Sequence, residues 1–343
     1  MFSKSFILIC ILFCFLSACR TKDSQNEMVD LDKNAPGVTI NAQFESLNKD
    51  IASEPDNPVP YFRRSKIFLE RQELNNALLD ISSAINLDST KSEYYFQMAK
   101  IYRKMNKFMD GLAAIYKADK LNCPDPELFL LGGEMYFILK EYKKSMVYLN
   151  KTLYLNKFES RAHFYISLNY LETGDTLSAI HSLETAVTQN TDYAEGYDQL
   201  AVIHDSKKDY KSALEYATSA ISSKKDAPAL YYNRGTIFFH TGNYDKSIED
   251  FQQAITLDSL HYLAWYNLGT SYYNKKNYQS AGKCFQKVID TKPEYQPVYF
   301  IFGQTLEWLN NDSLAAVQYA KAIELDNKDE KSVKALKKIE NRK

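Results

Sequence analysis

Residues 262–293 read YLAWYNLGTSYYNKKNYQSAGKCFQKVIDTKP, and the spacing of the apolar side chains in this stretch decides the fold. Trp265, Gly269 and Tyr272 follow one another at steps of four and three, and Ala281, Phe285 and Val288 do the same. Such steps trace one face of an α-helix. The stretch therefore encodes two amphipathic helices, A and then B, joined by a turn.

Outward from this stretch every column recurs at intervals of 34 residues, from Pro58 to Asp329. A large ring stands at Tyr61, Tyr95, Phe129, His163, Tyr197, Tyr231, Trp265 and Tyr299. Four residues on comes a small side chain: Ser65, Ala99, Gly133, Ser167, Ala201, Gly235, Gly269 or Gly303. A small residue there lets helix B cross close to helix A. Turn formers such as Gly174-Asp175 and Gly242-Asn243 separate A from B, where Gly or Asn takes the positive φ that ends a helix. Proline at 124, 126, 228, 293 and 297 falls where a helix stops or has just begun. One helix pair leaves half of its apolar surface in water, so successive pairs must stack. The chain is predicted to be all-α.

This pattern resembles the tetratricopeptide repeat, most closely in Trp265, Leu268, Gly269, Tyr272, Ala281, Phe285 and Pro293, and next in Tyr231, Gly235, Phe238, Phe251 and Ala254. The resemblance implies a right-handed α-solenoid of eight helix-turn-helix units starting at 58, 92, 126, 160, 194, 228, 262 and 296. Phe44, Leu47 and Ile51 predict an N-terminal capping half-repeat over 41–57. Val333, Leu336 and Ile339, set among Lys331, Lys334, Lys337, Lys338 and Arg342, predict a C-terminal capping helix over 330–343 with a wet basic face.

Lys4 and the apolar run Phe6 to Leu16 form a stretch too short for a transmembrane helix, which needs roughly 20 residues, and so read as a signal peptide over 1–18. Leu16-Ser17-Ala18-Cys19 resembles the lipobox of bacterial lipoproteins, which implies cleavage before Cys19, lipidation of its thiol and a membrane anchor. Residues 19–40 are polar and without period, as a flexible tether is. Arg20 after the cysteine favours the outer membrane, by the same resemblance, and leaves its face undecided.

Lys and Arg number 42 against 43 Asp and Glu, so no global field draws in nucleic acid. Cys123 and Cys284 are 161 residues apart in a fold whose repeats touch only neighbours, and are expected as free thiols, Cys284 buried. The five histidines show no metal-ligand spacing, and no phosphate-binding glycine loop appears. His163 and His204 occupy ring columns and read as packed histidines. His204, Asp205 and Asp198 form the one polar cluster with catalytic flavour. No catalytic residue, cofactor or metal is expected.

Function is then expected on the surface. In tetratricopeptide arrays helix A lines a concave groove, and the residue after the opening ring points into it. Here that column is Phe62, Phe96, Leu130, Phe164, Asp198, Tyr232, Tyr266 and Phe300, apolar at seven of eight places, which suits a peptide or a partner helix. Further groove positions are basic at Lys100, Arg103 and Lys104, acidic at Glu172, Glu195, Asp198 and Asp205, and aromatic towards Phe239, His240, Tyr273 and Trp308. The apolar column excludes the lysine and asparagine clamp with which chaperone-binding members hold a C-terminal carboxylate. The reading is a lipid-anchored, non-enzymatic adaptor for a protein or peptide. The alternative is a glycan or peptidoglycan-fragment binder stacking sugars on Tyr232, Tyr266, Tyr273 and Trp308.

Overall fold

The computed structural model describes residues 40–342. The expected signal peptide, Cys19 and the expected tether up to residue 39 lie outside the described residues. Among the described residues the chain forms eighteen α-helices and no strand, in two compact units, residues 40–189 and 190–342.

In the N-terminal unit α1 (Ile40–Ser53) precedes four A/B pairs. These are α2 (Pro58–Glu70) with α3 (Leu74–Leu87), α4 (Ser92–Lys104) with α5 (Phe108–Lys120), α6 (Pro126–Ile138) with α7 (Tyr142–Leu155), and α8 (Ser160–Thr173) with α9 (Thr176–Gln189). The C-terminal unit holds α10 (Ala194–Ser206) with α11 (Tyr210–Ser223), α12 (Pro228–His240) with α13 (Tyr244–Leu257), α14 (Tyr262–Asn274) with α15 (Tyr278–Thr291), and α16 (Pro297–Trp308) with α17 (Asp312–Leu325). It closes with α18 (Glu330–Glu340). Within each unit the stacked helix pairs form an α-solenoid.

Each pair is punctuated in the same way. Pro58, Pro126, Pro228 and Pro297 open their helices, where a missing N–H costs nothing. At the fifteenth position of every repeat the backbone turns left-handed: Gln72, Asn106, Lys140, Gly174, Lys208, Gly242, Lys276 and Asn310 have φ between 57° and 88°. The next N–H reaches back over the turn to helix A, as from Glu73 to Phe68 O at 2.8 Å and from Asn311 to Leu306 O at 2.9 Å. This is the Schellman closure of a helix. The expectation of Gly or Asn was too narrow, because the closing hydrogen bonds also hold Gln72, Lys140, Lys208 and Lys276 in a conformation their Cβ atoms resist.

The small column packs as expected. A Cβ on Gly269 meets the Phe285 ring at 2.6 Å, and one on Gly303 meets the Tyr319 ring at 2.5 Å. Two repeats add a polar clamp between A and B. Arg64 grips Asp80 through Nε and Nη2 at 2.7 and 2.8 Å, and Arg234 grips Asp250 in the same two columns at 2.8 Å through each. Both aspartates are buried, so the fork geometry of arginine satisfies two lone pairs that have no water.

The outer helices close apolar edges. Phe44 of α1 meets the Phe68 ring edge-on at 5.3 Å, and Leu47 is buried. Ile339 of α18 joins the core of Phe302, Leu306 and Tyr319. Cys123 and Cys284 are both free and buried.

Candidate partner-binding groove

The groove column behaves differently in the two units. In the N-terminal unit Phe96, Leu130 and Phe164 are buried, and only Phe62 is half-exposed. The expected open ladder is corrected there: neighbouring side chains cover it. Leu130 packs with Ala162 and Ile166, Phe96 with Leu128 and Phe129, and the Tyr165 ring stands edge-on to Phe164 at 5.7 Å. The basic residues are also occupied. Lys100 Nζ lies 4.1 Å above the Phe96 ring and 3.3 Å from Glu127, and Arg103 is paired with Glu134 of the following repeat.

The C-terminal unit is more open and is wired by side chains 35 residues apart. Asn233 Nδ2 donates to both carboxylate oxygens of Asp198, at 2.8 and 3.0 Å. Asn267 Nδ2 donates to Tyr232 Oη at 3.2 Å. His240 Nδ1 donates to Asp205 at 2.9 Å, and Trp308 Nε1 donates to Tyr273 Oη at 3.2 Å. Each link joins one helix A to the next, so the floor is fixed in register before any partner arrives.

Burial sets the charge states. Asp198, expected as an open acidic residue, is 6% exposed; burial, reinforced by the charge of Glu195 and opposed by the Asn233 bonds, pushes its pKa up to about 6. His240 is raised by its hydrogen bond to Asp205, which favours the cation, against the pull of burial. The expected cluster of His204 with Asp205 and Asp198 is not assembled. His204 Nδ1 instead lies 2.8 Å from Asp209, which caps α11, and its ring rests on Tyr216 at 5.3 Å. Asp205 belongs to His240, one repeat on.

At the far end of the C-terminal unit the rings form a shelf. Trp308 stacks on Tyr278 at 5.3 Å with 2° between their planes, while Tyr273 meets Tyr278 edge-on at 5.5 Å. Trp308 is 61% exposed. Tyr232, Tyr266 and Phe300 are half-buried along the same column, Tyr266 between Phe285 and Tyr295. Tyr278 and the asparagines were not singled out in the sequence. Their signal was a ring at the start of helix B in Tyr210, Tyr244 and Tyr278, and an Asn pair 34 apart at 233 and 267. Among the described residues no helix is long and apolar enough to cross a membrane, and no three His, Cys, Asp or Glu side chains converge as metal ligands do.

Residues 194–226, 228–259 and 262–295 match sequence models of the tetratricopeptide repeat. Over these residues the chain is similar to the tetratricopeptide repeat. Human tetratricopeptide repeat protein 13 is 28% identical over 124 residues, which is 36% of this chain; the chain spans 14% of that relative's length. Among solved structures, the C-terminal part of a TPR repeat-containing protein from Cytophaga hutchinsonii aligns with TM-score 0.58 and 17% identity over 70% of this chain and 99% of that one. The Cut9–Hcn1 hetero-tetramer of the APC/C aligns with TM-score 0.55 and 16% identity over 92% of this chain and 60% of that one. At these identities what is shared is the fold, an α-solenoid of such repeats.

Proposed function

We propose that this chain is a scaffold anchored to the cell envelope by lipid on Cys19, which holds a protein or peptide partner along helices A of the C-terminal unit. The observation that carries the reading is the prearranged floor: four inter-repeat hydrogen bonds lead from Asp198 to an aromatic shelf whose Trp308 is exposed. A shelf already locked in place binds without ordering cost. The change from the acidic Asp205 to the aromatic Trp308 gives a bound segment its direction. The anchor rests on the Leu16-Ser17-Ala18-Cys19 motif.

Crosslinked pulldown from native envelope with the unaltered chain and with Trp308→Ala tests the groove. A partner lost with Trp308→Ala supports it, and an unchanged partner set overturns it. Cys19→Ser with membrane fractionation tests the anchor, and undiminished membrane retention refutes lipidation. The parallel Trp308–Tyr278 stack also favours a second reading, sugar stacking. That reading requires Trp308 emission to respond to added saccharide.

A further inference from the structure

The outward face of helix B differs between α5 and α7 on one side and α11 and α13 on the other. On α5 and α7 the solvent-facing columns hold Met109, Tyr116, Val147 and Tyr154, with Phe158 in the turn that follows. Met109, Tyr154 and Phe158 are 69%, 84% and 78% exposed. The same columns hold Lys211, Glu215, Thr218 and Ser222 on α11, and Asp245, Glu249, Gln252 and Thr256 on α13. Packing does not explain the difference, because these positions face water in both units.

The two helices form one face. Lys151 of α7 bonds Asp119 of α5 at 2.8 Å; Tyr116 lies one turn before Asp119, and Val147 and Tyr154 lie one turn to either side of Lys151. Charge surrounds the apolar tips: α5 and α7 hold five lysines and two aspartates, whereas α11 and α13 hold two lysines and four acids. Among the described residues, Lys117 and Lys143 are exposed and have no carboxylate partner, and Lys120 lies over the Tyr116 ring at 5.5 Å.

We infer that this face of α5 and α7 is a membrane-contact surface, fitted to a leaflet carrying anionic headgroups. Apolar and aromatic tips enter the boundary of the acyl chains, while the lysines reach headgroup phosphates along their own stems. A second copy of the chain fits less well, since a twofold contact sets two lysine-rich faces against each other. The inference needs neither Cys19 nor the groove, and it assigns the N-terminal unit a task distinct from that of the C-terminal one.

The test uses the chain from Arg20 onward, which retains every described core residue, from Phe44 to Ile339. It is co-sedimented with vesicles of phosphatidylcholine alone or mixed with phosphatidylglycerol. Binding is expected to the mixed vesicles, to weaken about fivefold for each of Lys117→Gln and Lys143→Gln, and to vanish in Tyr154→Asp/Phe158→Asp with the circular dichroism spectrum unchanged. No binding, equal binding to both vesicles, or binding that survives Tyr154→Asp/Phe158→Asp overturns the inference. So does a dimer or a stoichiometric protein complex that these substitutions dissolve in the absence of vesicle binding. Because residues 1–19 are missing, failure here leaves the lipid-anchor reading standing, and the reverse is also true.

Discussion

Replacing Asp198 by asparagine should change the pH dependence of stability more than stability itself. In the folded chain burial, helped by the charge of Glu195 and opposed by the Asn233 bonds, pushes the carboxyl from 3.8 up to about 6. Between those values the folded state binds more protons than the unfolded one, so stability falls as pH rises through that window. The two pKa values put the loss at about 3 kcal/mol by neutral pH, and about 2–3 kcal/mol of it falls between pH 4 and pH 7.5. An amide at this position does not titrate and so removes that dependence. It has its own cost, an N–H₂ without an evident acceptor, of about 1–3 kcal/mol, but that cost does not vary with pH. Urea unfolding of both proteins, followed by far-UV circular dichroism at several pH values, isolates the effect as a difference of differences. The stability of Asp198→Asn relative to the parent should climb by about 2–3 kcal/mol from pH 4 to pH 7.5 and level off above about pH 6.5. A difference that stays flat refutes the claim that this carboxyl is desolvated in the fold.

Gly303→Ala should destabilise the last repeat by about 1–3 kcal/mol, since the new methyl meets the Tyr319 ring at 2.5 Å and that ring is fixed by its Oη bond to Glu307; thermal unfolding reads it. Arg234→Met should cost about 3–5 kcal/mol by stranding the buried Asp250, and Arg234→Met/Asp250→Leu should recover most of it in chemical denaturation. Cys284, whose thiol burial pushes up to about 12, should be inert to a thiol-specific reagent in the native chain and react fully once unfolded.

The helices and their pairing were legible because helix periodicity repeats without insertion: Trp265, Gly269 and Phe285 name the A/B contact by type and spacing alone. The clamps were legible in principle, as Arg64/Asp80 and Arg234/Asp250 share one offset. Exposure in the groove was not. Phe96 and Tyr232 stand in one column, yet whether such a ring is covered depends on the side chains that the next repeat brings over it. The fate of Lys100 and Arg103 likewise depended on Glu127 and Glu134 across the stack. Periodicity reports which face a residue is on, and only the neighbours decide what that face meets.

The left-handed turns carry a rhythm of their own. Glycine or asparagine stands at residues 106, 174, 242 and 310, and glutamine or lysine at 72, 140, 208 and 276, so relaxed and strained joints alternate along the chain. Each strained joint costs roughly 1–2 kcal/mol that glycine avoids. Repeat arrays open locally, with each repeat held mainly by its neighbours. The first, third, fifth and seventh turns should therefore exchange their amide hydrogens faster than the even ones. In that respect the chain breathes with a period twice the one in which it is built.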